Sequence, residues 1–96
     1  MVTVWTPQAL AELKKTFEYV SGDSPQNAKI VVDEIILLAD KLTNQPEMFP
    51  PDKFKQNNDN SWRAFEKFHF RISYRITPEE IRIVRMRHTS RSPLQY

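Results

Sequence analysis

Apolar residues recur along this chain with two different periods, and the change between them divides it roughly in two. From Ala9 to Leu42 they return every three or four positions, and from Trp62 to Met86 mostly every second one. The first period belongs to helices that bury one stripe, the second to strands that bury one face. In the first half, Ala9, Leu10, Leu13, Phe17 and Val20 form a stripe, with Thr6 placed as N-cap and Pro7 in the first turn. Ser21 and Gly22 end this helix, and Gly22 is expected as a left-handed cap. Ser24 and Pro25 repeat the start signal, and the second helix is expected to run to about Thr43. Its inward residues are Ile30, Val31, Ile35, Leu38, Ala39 and Leu42. Val32, Ile36 and Leu37 widen the apolar surface beyond one stripe. Either all of it is buried between the first helix and a sheet, or part stays exposed as a partner groove.

Strand signals surround this helical hairpin. Val2 to Trp5 alternates as a short first strand, with Val2 and Val4 opposite Thr3 and Trp5. Asn44 to Asn60 contains three prolines and four asparagines, which forbid a regular element. Trp62 to Phe68 reads as a second strand, and a close turn near Lys67 to His69 leads into a third. There Phe70, Ile72, Tyr74 and Ile76 alternate with Arg71, Ser73 and Arg75. Thr77, Pro78 and Glu79 supply a turn, and Ile81, Ile83, Val84 and Met86 carry the chain back. Strict alternation would place Arg85 and Arg87 with Ile81 and Ile83. A bulge near Ile83 and Val84, or cover on both faces, would resolve that conflict. The predicted architecture is α+β: one domain over residues 1–96, with a small antiparallel sheet of about four strands in the order β-α-α-β-β-β. The helical hairpin packs on one sheet face, and the first strand is expected beside the fourth.

Composition removes whole classes of chemistry. There is no cysteine, so disulfides and thiolate metal sites are excluded, and the single glycine excludes a Gly-rich phosphate loop. No stretch approaches the ~20 apolar residues of a membrane span. Met1 leads directly into VTVW, so no signal peptide is expected, and a cytoplasmic location fits. No metal or other cofactor is expected.

Charge changes the picture more. Up to residue 61 six lysines face nine acids, whereas from Trp62 onward one lysine and seven arginines face three. All the arginine therefore lies in the sheet half, which points to a positive face for phosphate or an acidic protein. No nucleophilic triad or paired catalytic carboxylates stand out. What remains is a metal-free basic set: Arg71, Arg75, Arg85, Arg87, His88, Arg91 and Tyr96, with Lys53 and Lys55 from the loop. Such a set could cleave RNA, with arginines stabilising the phosphate and a histidine moving a proton.

The strand FRISYRI followed by RIVRMRHTSRSPLQY resembles the RelE/ParE superfamily of toxins from bacterial type II toxin–antitoxin systems, and the resemblance extends from WTPQALAEL to the terminal tyrosine. It implies a cognate antitoxin as partner, and a possible toxin–antitoxin hetero-oligomer. It also implies one of two targets: the ribosome and its mRNA, cut in RelE-like members, or DNA gyrase, poisoned in ParE-like ones. On the first reading, toward which the residues lean, Arg71 and Arg91 hold the scissile phosphate and His88 or Tyr96 moves the proton. Lys53, Lys55, Arg75, Arg85 and Arg87 then bind RNA. On the second, the same tail only docks. A third class is a degenerate or purely interacting member.

Overall fold

Both helices begin where their capping residues predict. In the computed structural model, which describes residues 1–91 and 95–96, Thr6 Oγ1 accepts from the Ala9 amide at 3.1 Å and opens α1 (Pro7–Ser21). Ser24 Oγ accepts from the Asn27 amide at 3.2 Å and opens α2 (Pro25–Lys41). The close of α1 differs from expectation. Gly22 has φ −57 and ψ −34, so it continues the right-handed turn, and its amide bonds back to Glu18. The Asp23 and Ser24 amides both return to the Val20 carbonyl, which ends the helix without any left-handed residue.

The strands are β1 (Val2–Trp5), β2 (Trp62–Lys67), β3 (Phe70–Ile76) and β4 (Glu80–His88). They form one open sheet in the order β1-β4-β3-β2. The α+β order and the place of β1 beside β4 are as expected. The antiparallel description holds for the β2–β3–β4 meander, but β1 pairs with β4 in parallel, so the sheet is mixed. Two helices intervene between β1 and the meander, and they return the chain to the end of the sheet from which it started.

The irregular phase of β4 is a bulge. Ser73 pairs with Arg85 and Tyr74 with Ile83, which leaves Val84 as the extra residue. The consequence is a clean division of faces. Ile81, Ile83 and Met86 join Phe70, Ile72, Tyr74 and Phe65 against Ala9, Leu13, Ile35, Ala39 and Leu42 of the helical layer. Arg82, Arg85 and Arg87 share the other face.

The helices bury a narrower stripe than their apolar residues suggest. Ala9, Leu13 and Thr16 are the buried row of α1, while Leu10 and Phe17 are 55% and 41% exposed. In α2, Ala28, Ile35 and Ala39 are buried, and Val31, Val32, Ile36 and Leu38 pack partly against the core. Ile30 and Leu37 face outward, so the wide apolar surface is divided between core and exterior. One side of α1 is used at the sheet edge. Beyond the end of β1, Glu12 Oε1 accepts the Met86 amide at 3.1 Å, supplying the acceptor that a neighbouring strand would give.

The β2–β3 turn is strained. Phe68 and His69 bridge the Lys67–Phe70 pair with φ of 54 and 68. Two positive φ values mark the type I′ loop, which normally selects Asn-Gly. The double substitution Phe68→Asn, His69→Gly should raise unfolding free energy by about 1–2 kcal/mol. Denaturant titration checks this, and an unchanged midpoint would mean that the turn carries no such strain.

Candidate functional site

The face of the sheet away from the helices is built from three cross-strand rows. Trp62, Arg75 and Arg82 form one, Ala64, Ser73 and Arg85 the next, and Glu66, Arg71 and Arg87 the third. Each row thus carries an arginine on β4, and only the Val84 bulge aligns Arg85 and Arg87 with Arg82.

The long loop between α2 and β2 wraps round the β2 edge to reach this face. On the helical side, Phe49 stacks on Phe65 at 4.8 Å and Tyr74 Oη donates to the Pro46 carbonyl at 2.8 Å. Burial of the Tyr74 phenol pushes its pKa up to about 12. At the edge itself, Pro51 bridges Arg63, and Arg63 Nη1 donates to the Phe49 carbonyl at 2.7 Å. Asn58 then stitches the loop to β2, donating to the Trp62 carbonyl and accepting its amide. Asn57 and Asn60 take φ of 53 and 74, conformations that asparagine tolerates better than most residues.

Past the edge, Asp52 turns inward beneath the free face. Its side chain is 1% exposed. Oδ1 accepts from Arg71 Nη2 at 2.8 Å and from the Phe54 amide at 3.0 Å, while Oδ2 accepts from Tyr96 Oη at 2.6 Å. Burial by itself would raise the Asp52 pKa. The bonds from Tyr96, Arg71 and the Phe54 amide, together with the Arg71 charge, outweigh it and hold the carboxyl below its ordinary 3.8. Tyr96 moves the other way. Burial, and then the neighbouring Asp52 carboxylate, push its phenol up to about 12, so at neutral pH it is a protonated donor.

Around this pair lies a cavity of about 120 Å³, lined by Lys53, Phe54, Glu66, Ser73, Thr89 and several of the residues predicted from sequence. Of those, Arg71, Arg85, Arg87, His88, Arg91, Tyr96 and Lys53 converge on it. Lys55 and Arg75 do not line it. They flank Trp62, each 5.0 Å from its ring centre, and Trp62 meets Tyr96 edge-on at 5.6 Å. His88 Nδ1 accepts the Ser90 amide at 3.0 Å, so a neutral ring carries its proton on Nε2. Arg71 is doubly engaged, since its Nη1 also meets Glu66 Oε2 at 3.0 Å. Arg85 reaches toward Glu12 Oε2 at 3.7 Å.

Asp52, Glu66 and Glu12 are the residues that sequence reasoning passed over. A signal existed for Asp52: an Asp after proline, whose side-chain oxygen accepts from the amide two residues on, is the pattern of an Asx turn. Nothing local announced that its second oxygen would meet a tyrosine 44 positions away.

A family model described as "ParE toxin of type II toxin-antitoxin system, parDE" matches residues 3–93. Among solved structures, the chain is similar to one titled "Chromosomal ParDE TA system from P. aeruginosa". The TM-score is 0.71 at 23% identity, over 92% of this chain and 95% of that one. No curated protein matches. Among the described residues, no helix is long and apolar enough to cross a membrane.

Proposed function

Since this chain belongs to the ParE toxin family of type II toxin–antitoxin systems, we propose that it arrests growth by binding and inhibiting DNA gyrase, without covalent chemistry of its own. The observation that favours this over mRNA cleavage is the condition of Arg71 and Tyr96. A nuclease needs an arginine open to the scissile phosphate and a group ready to accept or donate the proton. Here Arg71 lies between two carboxylates, at 2.8 and 3.0 Å. The Tyr96 hydroxyl is committed to Asp52 at 2.6 Å, which leaves His88 as the remaining proton-moving candidate. A docking surface has no such requirement, because paired arginines at a rim still steer and orient a partner.

The exposed apolar residues of the helical hairpin, Leu10, Phe17, Ile30 and Leu37, fit a cognate antitoxin that orders on contact. Target and partner can be tested together. Induction in cells should yield gyrase-linked DNA breaks and no codon-phased mRNA cuts, and co-expressed antitoxin should suppress the breaks. Amide exchange in α1 and α2 should slow in the complex. Codon-phased cuts without DNA breaks, lost on Arg71→Ala, would replace this reading with ribosome-dependent cleavage. Unchanged exchange would put the antitoxin on another surface.

A further inference from the structure

The cavity on the free face has the composition of a receptor for an oxyanion. Lys53, Arg71, Arg85, Arg87 and Arg91 line it with Asp52 and Glu66 around about 120 Å³, and Arg85 has Glu12 as a further acidic neighbour at 3.7 Å, so basic side chains outnumber acidic ones. A concave site with surplus guanidinium groups and restricted water attracts a planar or tetrahedral oxyanion. The molecule supplies one from within. Asp52 offers Oδ1 to Arg71 at 2.8 Å from a position that is 1% exposed.

Asp52 is not held there by Arg71 alone. Tyr96 Oη fixes its second oxygen at 2.6 Å. Tyr96 is itself tied to the loop that carries Asp52. Its amide donates to the Phe54 carbonyl at 3.1 Å, and its main-chain oxygen accepts from the Gln56 amide at 2.6 Å and from Lys55 Nζ at 3.1 Å. The ring closes one wall of the cavity, edge-on to Trp62. Carboxylate and phenol therefore depend on each other: the phenol orients the acid, and the acid gives a buried hydroxyl its acceptor.

We propose that Asp52 and Tyr96 form an internal latch, in which the carboxylate occupies the anion position beside Arg71 and keeps an outside phosphate oxyanion from binding there. When the latch is released, the same arginines form a site for phosphate, either free or as a phosphodiester. This goes beyond the gyrase reading, which rests on the latched state: the latch governs phosphate binding, and no cleavage step is implied by its release.

Trp62 provides the readout, since it touches Tyr96 and the chain has only one other tryptophan, Trp5. In a Trp5→Phe background, inorganic phosphate is titrated into the parent, Asp52→Asn and Tyr96→Ala while Trp62 emission is followed. Removing one charge-assisted competitor should tighten phosphate binding at least about tenfold in Asp52→Asn. Tyr96→Ala should shift it in the same direction, and adding Arg71→Ala should abolish both gains. A short single-stranded oligonucleotide forms the second arm. A larger gain than with inorganic phosphate assigns the site to backbone phosphate, and an equal gain to the free ion. No gain in a variant with native near-ultraviolet circular dichroism, or a gain that survives Arg71→Ala, overturns the proposal. Should Asp52→Asn fail to fold, Tyr96→Ala decides alone.

Discussion

Asp52→Ala should lower the unfolding free energy by about 3 kcal/mol, the low end for removing one partner of a buried ion pair. Three effects combine. Arg71, only 18% exposed, keeps Glu66 but loses its buried counter-charge. The Tyr96 hydroxyl loses its acceptor, and the turn at Phe54 loses its side-chain clamp. For a domain whose total is about 5–15 kcal/mol, that loss is severe. Its pH dependence has a definite sign. The Asp52 pKa is lower folded than unfolded, so its stabilisation is complete above the ordinary value of 3.8 and is lost as pH falls through the folded value. Urea titrations of parent and variant should therefore diverge near neutral pH and approach each other in strong acid. A constant difference at every pH would show that Asp52 acts through packing and not through its charge.

Tyr74→Ala should cost about 4 kcal/mol, in the range for deleting a large buried aromatic side chain. Tyr74 is fully buried in the middle of β3, and its ring lies 6.4 Å from that of Phe65. Its hydroxyl also anchors the start of the long loop through Pro46. Tyr74→Phe separates the two roles. It keeps the ring but leaves a carbonyl without its donor, at about 1–2 kcal/mol. Denaturant unfolding of the pair measures the split. Equal losses would mean that the loop anchor, not the packed ring, carries the stability. Because the same loop delivers Asp52, either change should also loosen the free-face cavity.

Much of this fold can be read along the chain because its signals are local. Thr6 with Pro7, and Ser24 with Pro25, announce two helices, since a cap needs only the next three residues. The alternation of Phe70 to Ile76 announces a half-buried strand for the same reason. Gly22 misled because a glycine after a helix is compatible with a left-handed cap without requiring one. The buried helix rows are narrower than the apolar spacing because periodicity finds apolar residues but not the neighbours that cover them. Leu10, Phe17 and Ile30 satisfy the spacing, yet each is at least 41% exposed.

The site divides along the same line. Sequence alone determined that the arginines fall in the strands and tail, that no cysteine or glycine-rich chemistry is available, and that β4 carries either a bulge near Ile83 and Val84 or cover on both faces. Only the tertiary structure decided which face those arginines share, because one extra residue in β4 inverts the side of everything after it. It alone brought Asp52 under Arg71 and Tyr96 onto Asp52, across 19 and 44 positions. Charge pairing at such separations depends on where a loop crosses a sheet edge, and no local pattern of residues encodes that crossing.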